Sequence, residues 1–106
     1  MVMPTHPKTH CRTPAEGRDG GTNIPSWKFD LLRKHILDIV RNAGEYGFPF
    51  RDLKDAIRPR LKAEDITQLG SLGWHTTTVK LEMEVRGEIA RLNAKGPQLM
   101  VLGDAA

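Results

Sequence analysis

Between Trp27 and Ala43 apolar side chains return every three or four positions, and this stripe constrains the fold more than any other feature of the chain. Phe29, Leu32, Ile36, Ile39, Val40 and Ala43 share one helical face, while Lys28, Arg33, Lys34 and Arg41 lie off it. A helix patterned in this way must bury its stripe against partner elements. Ser26 stands where an N-cap belongs, and Gly44 stands at the C′ position.

The elements downstream follow from shorter signals. Gly47-Phe48-Pro49-Phe50 breaks the helical pattern and has room for a brief extended segment. A second helix is expected from about Arg51 to Arg58, with Leu53, Ala56 and Ile57 on its apolar side. Pro59 should end or kink it, because proline lacks the amide donor and restricts its predecessor. Residues 62 to 73 form a connector carrying Ile66, Leu69 and Leu72, with room for a turn or two of helix before Gly70. A third helix is expected from about Trp74 to Arg86, stopped by Gly87. Two strand-like runs, Glu88 to Leu92 and Gln98 to Leu102, flank the turn-forming stretch Asn93-Ala94-Lys95-Gly96-Pro97.

The composition changes sharply near residue 25. Residues 1–25 hold Pro4, Pro7, Pro14, Pro25, Gly17, Gly20 and Gly21 and almost no large apolar side chain, so they read as a disordered N-terminal tail. His6, His10 and Cys11 are metal-ligand types, but three ligands on such a tail with no fourth in register make a poor site. The expected organisation is a tail over 1–25, one domain over 26–102 and a frayed end over 103–106. A single cysteine excludes an internal disulfide framework and suits a reducing, cytoplasmic setting. No apolar run is long enough to span a bilayer, so no membrane role is expected.

Three helices followed by a β-hairpin give a mainly α chain with the element order of a winged helix: a helix-turn-helix core and a two-stranded wing. The stretch Gly73-Trp74-His75-Thr76-Thr77-Thr78-Val79-Lys80-Leu81-Glu82-Met83-Glu84-Val85-Arg86-Gly87-Glu88-Ile89 resembles a family of small bacterial winged-helix proteins of unassigned function. Their third helix opens with Gly-Trp, carries a Thr-Val-x-Leu core and ends in Gly-x-Ile. Leu53 to Leu61, with Pro59, is similar to their second helix. The resemblance spans roughly Trp27 to Leu102. It departs at Gln98 to Leu102, which lacks the basic and aromatic ending of that family's wing. The implication is a fold rather than an activity.

Net charge is +3 with a pI near 9.3, mildly basic and compatible with a polyanionic partner. The positive charge concentrates in Arg51 to Lys62, where five cations face two carboxylates. In a helix-turn-helix this element crosses the nucleic-acid backbone, which assigns phosphate contacts to Arg51, Lys54 and Arg58. The third helix places Val79 and Met83 on a core side and Trp74, Leu81 and Val85 nearly opposite, with Thr77 and Lys80 between them. Two accounts fit this pattern. In the first, the connector covers Trp74, Leu81 and Val85, and Thr76, Thr77 and Lys80 meet DNA. In the second, Trp74, Leu81 and Val85 form a protein-contact surface. Arg91 and Lys95 at the wing complete the DNA-facing set.

No nucleophile elbow, phosphate-cradling glycine loop or paired metal-ligand spacing is present. His35 and His75 are isolated on helices. No enzymatic role and no cofactor are expected. The favoured expectation is a cytoplasmic regulator of transcription that binds double-stranded DNA as a homodimer, since one short helix reads too few base pairs alone. The alternative is a winged-helix protein-interaction module without DNA binding.

Overall fold

The computed structural model describes the backbone of residues 7–15 and 17–106, and side chains over 7–15 and 21–106. The first six residues, including His6, lie outside that range. The chain is mainly α-helical with two small antiparallel sheets.

The first sheet overturns the expected tail. Strand β1 (Lys8–Thr13) pairs antiparallel with β2 (Gly17–Pro25), Lys8 opposite Pro25 and Cys11 opposite Thr22. Cys11 and Ile24 point inward and are buried in the same core as the helices. The segment has too few apolar residues to fold alone. Two inward side chains and a shared ladder suffice because the hairpin rests on a surface already built by the helices. The domain therefore begins at β1 rather than at Ser26.

Strand β2 passes without a loop into α1 (Ser26–Ala43). Ser26 is the first helical residue and does not cap. Its hydroxyl lies 2.7 Å from that of Thr9, and its amide donates to the Pro7 carbonyl at 2.9 Å, sewing the helix start to β1. The expected stripe of α1 holds: Phe29, Leu32, Ile36, Ile39 and Val40 are buried, and Gly44 ends the helix with φ +68°.

After a 3-10 turn, the two-residue strand β3 (Phe48–Pro49) realises the extended break read from Gly47 to Phe50. Helix α2 (Leu53–Ile57) is short and is extended at both ends by 3-10 turns, the second of which contains Pro59. The connector forms α3 (Ala63–Leu69), closed by Gly70. Helix α4 (Leu72–Val85) starts two residues earlier than expected. Ser71 caps it, its hydroxyl accepting from the Trp74 amide at 3.1 Å.

Strands β4 (Ile89–Arg91) and β5 (Leu99–Leu102) form the C-terminal hairpin. Strand β3 pairs with the other edge of β5, in the order β3-β5-β4. The sharp entry into β3 depends on Gly47 at φ +81°, where an added Cβ would lie 3.1 Å from Leu99 Cβ and 3.3 Å from the Met100 carbonyl oxygen. The end expected to fray is held instead: the Gly103 amide donates to Glu88 and the Ala105 amide to Gly87, each at 2.9 Å. Val79 and Met83 of α4 meet the α1 stripe in the centre, with Leu53 and Ile57 from α2 and Met100 from β5. Leu69 and Leu72 of the connector join this core.

Candidate nucleic-acid interface

Arg51, Lys54 and Arg58 are separated by three and four positions, and the backbone stays helical through the flanking turns. They therefore share one face. All three are exposed and have no ion-pair or hydrogen-bond partner among the described residues. The other cations of this segment and its neighbours are partly engaged. Arg60 is paired with Asp38 on α1, and Lys28 donates to the Leu69 carbonyl at 3.2 Å.

Arg51 and Lys54 also line an open cleft of about 280 Å³ with Phe50, Gly73, Thr76 and Thr77. The cleft lies where the start of α2 meets the first turns of α4. Its lining contains two cations and no carboxylate.

Two of the expected groove contacts are not on the surface. Thr76 is 2% exposed and Lys80 is 3% exposed. The Lys80 ammonium is paired with Glu84 one turn on and sits 4.6 Å from the centre of the Phe50 ring. A lysine at this depth cannot extend to a phosphate without leaving both partners. Thr77 remains exposed. At the C-terminal hairpin Arg91 and Lys95 are exposed, and Arg91 donates to the Gly96 carbonyl at 2.8 Å, bracing the loop. Gln98 ties this hairpin to the 3-10 turn that leads into α2, because its carbonyl accepts from the Phe50 amide at 2.9 Å.

The cover that the first account placed over Trp74, Leu81 and Val85 is not found. The connector does not cover them, because Leu69 and Leu72 turn into the core. The N-terminal hairpin lies alongside instead, and a second cleft of about 280 Å³ between them is lined by Arg12, Thr13, Trp74, Thr77 and Leu81. Leu81 and Val85 are half-buried, and Trp74 stays 48% exposed with its ring edge-on to His75 at 4.8 Å.

The principal polar feature that sequence reasoning missed is what holds the hairpin there. Glu82 of α4 is 1% exposed and accepts from the Arg12 amide at 2.8 Å and from Arg12 Nε and Nη2 at 3.0 and 2.8 Å. Arg86 Nε donates to it at 2.8 Å. Burial alone would push this carboxyl up. The hydrogen bonds from the two arginines outweigh it and hold the group at about 2. The signal available in sequence was a glutamate on the core-facing side of a helix, three residues after Val79, which demands a buried partner. Nothing local points to Arg12 as that partner. Glu88, likewise buried, is gripped by Arg33 of α1 at 2.9 Å. With Glu82 and Glu84 both neutralised internally, α4 is less repulsive to a polyanion than its sequence implies.

His10 Nδ1 lies 2.7 Å from Asn23 Oδ1, across the β1–β2 ladder. Among the described residues no group of three histidine, cysteine or acidic side chains is placed to hold a metal. Among the same residues no helix is long and apolar enough to cross a membrane.

The family model that matches this chain runs from residue 8 in β1 to residue 100 in β5. The chain belongs to a family of unknown function (DUF6958). The match begins with the hairpin, which makes β1 and β2 part of the family's domain rather than an appendage. No curated protein and no solved structure matches the chain.

Proposed function

We propose that this member of the family is a winged-helix domain that binds duplex DNA, gripping the phosphate backbone from α2, the first turns of α4 and the C-terminal hairpin. The order of elements supports the fold assignment: a long helix, the short strand β3, the α2–α4 region as a helix-turn-helix, and β4 and β5 as a wing whose inner strand also pairs with β3. The observation that carries the function is the row of cations Arg51, Lys54 and Arg58 on one exposed face, unpaired among the described residues. Thr77, Arg91 and Lys95 are the other exposed members of the proposed contact set, while the burial of Thr76 and Lys80 keeps both out of the groove. The site is a binding site and has no catalytic part. A homodimer acting on transcription in the cytoplasm is the setting this reading favours, since a single short helix covers few base pairs.

The test is fluorescence anisotropy of a labelled duplex at about 50 and 200 mM salt. Wild-type binding should weaken steeply with salt. Replacing Arg51, Lys54 and Arg58 together by glutamine should lower the slope of log affinity against log salt by about 2 to 3, close to one unit for each phosphate no longer neutralised. No binding at low salt, or an unaltered slope in the triple variant, would remove the basis of this reading.

One observation favours a second reading. The outward strip of α4 (Trp74, Leu81, Val85) is apolar and carries no cation, which suits a protein contact better than a groove. An assembly built on this strip would survive high salt and be broken by Trp74→Glu. A chain that stays monomeric in salt and binds DNA equally well after that substitution would count against it.

A further inference from the structure

The C-terminal sheet has an apolar side that the described residues leave uncovered. Alternation places Ile89, Gln98 and Met100 on its inner side. Ile89 and Met100 are buried in the core, and Gln98 Nε2 reaches Glu84 on α4. The ladder sets Pro49 opposite Leu99 and Ala90 opposite Val101, and the Leu92 amide donates to the Leu99 carbonyl at 2.8 Å. Pro49, Ala90, Leu92, Leu99 and Val101 therefore face the other way, and none of the five packs against the core cluster. An antiparallel sheet with one wet side carries polar residues there. Here Leu99-Met100-Val101-Leu102 is apolar without a break, the pattern of a strand covered on both sides. Leu92 is 49% exposed, and its side chain converges with that of Leu99 on Gly47. Tyr46, 81% exposed, stands on the 3-10 turn beside β5.

We infer that this sheet face is a dimer interface, stacked on the same face of a second copy with the two sets of strands antiparallel about a two-fold axis. The charges at its ends select that occupant. Glu45 and Asp104 stand at the end where β3 begins and β5 finishes, both exposed and without an ion-pair partner among the described residues. Lys95 stands at the opposite end, on the hairpin loop, and Arg91 leans towards it through the Gly96 carbonyl. Residues 93–97 of that loop contain no carboxylate. An antiparallel stack sets the acidic end of each copy over the basic end of the other, and the two-fold axis makes every such contact twice. A parallel stack would oppose like charges. Duplex DNA does not fit this face, because five apolar side chains offer phosphates no donor. Three strands span roughly 10 Å and four residues roughly 13 Å. So small an apolar centre makes a weak dimer, with Kd on the order of micromolar, rather than an obligate one. The interface goes beyond the DNA reading and stands whether or not the chain binds DNA. In the dimer Lys95 is engaged by the partner copy, so the DNA reading then rests on Arg51, Lys54 and Arg58.

The test is sedimentation of the full chain without DNA, from about 1 to 500 μM, a range that brackets a micromolar Kd. Wild type should pass from monomer to dimer as concentration rises. Leu92→Glu places a charge in the centre of the stack and should raise Kd about tenfold or more. Its melting temperature at low concentration should match wild type, because Leu92 is half exposed in the monomer. Glu45→Lys and Lys95→Glu, both at exposed sites, should each weaken the dimer about three- to tenfold. Together they exchange the signs of the pair and should recover most of the loss, which damage to the fold would not do. A chain monomeric over the whole range overturns the interface. So does a dimer that Leu92→Glu leaves intact, or a charge exchange that weakens the dimer as much as the two single changes added. A dimer lost in Trp74→Glu and kept in Leu92→Glu moves the assembly to α4 and overturns this face.

Discussion

Replacing Glu82 by glutamine isolates the contact that joins the N-terminal hairpin to the helical core. The carboxylate is 1% exposed and accepts four hydrogen bonds, three from Arg12 and one from Arg86. Its pKa stands at about 2 against an ordinary 4.5. At about 1.4 kcal/mol per unit, that difference corresponds to roughly 3 kcal/mol favouring the charged form in the folded chain. Removing one partner of a buried ion pair costs about 3–5 kcal/mol. The Arg12 and Arg86 side chains are 33% and 38% exposed and can return to water, which places the cost at the lower end of that range. Glu82→Gln should therefore lose about 3 kcal/mol, a melting-temperature drop on the order of 10–20 °C for a domain of this size. The sign with pH follows from the depressed pKa. The contribution is complete above the unfolded value near 4.5 and is lost as pH falls towards 2. Urea unfolding of both proteins, from neutral pH down through this window, should show their stabilities converging in acid. Amide exchange should show β1 and β2 opening first. A neutral-pH difference below about 0.5 kcal/mol, the scatter of ordinary surface changes, would refute this account of the hairpin.

The remaining predictions test neighbouring features. Burial, aided by the nearby Glu82 charge and opposed by Arg86, pushes the Cys11 thiol to about 11. Alkylation at mildly alkaline pH should therefore be slow in the native chain and markedly faster in Glu82→Gln, where the hairpin opens; equal rates would separate Cys11 from hairpin opening. Gly47→Ala should cost about 1–3 kcal/mol in urea unfolding, because φ is +81° and the new Cβ meets Leu99 and the Met100 carbonyl oxygen. Lys80→Met should leave DNA affinity and its salt slope unchanged in anisotropy titrations, since the ammonium is buried against Glu84 and Phe50. The same change should lower stability by about 1–2 kcal/mol, because Glu84 loses its lysine and keeps only the long hydrogen bond from Gln98 Nε2 at 3.5 Å.

Local pattern was sufficient wherever one element's own residues decide the outcome. The α1 stripe from Phe29 to Val40, the glycine ends at Gly44 and Gly70, the turn of helix in the connector and the two C-terminal strands were all legible, because spacing and turn chemistry act over a few residues. The exposure of Arg51, Lys54 and Arg58 on one face was legible for the same reason: their spacing sets one face of a short helix, and nothing among the described residues packs over it. Lys80 and Thr76 were misplaced because helical projection shows which residues share a side, not which neighbour covers it. In the fold, α2 and Phe50 close over the side of α4 that the projection left open.

The sequence by itself determined the helices, their order, the apolar faces they must bury and the location of the concentrated positive charge. Tertiary structure alone decided that residues 8–25 belong to the domain, that Glu82 is neutralised by Arg12 from 70 residues away, and that Thr76 ends up buried at the edge of a cationic cleft. The physical reason is one of range. Hydrophobic periodicity and turn propensity are stored in neighbouring residues. The stability of a sparse hairpin, the charge state of a buried carboxylate and the satisfaction of a buried hydroxyl depend on surfaces that exist only after distant segments have packed.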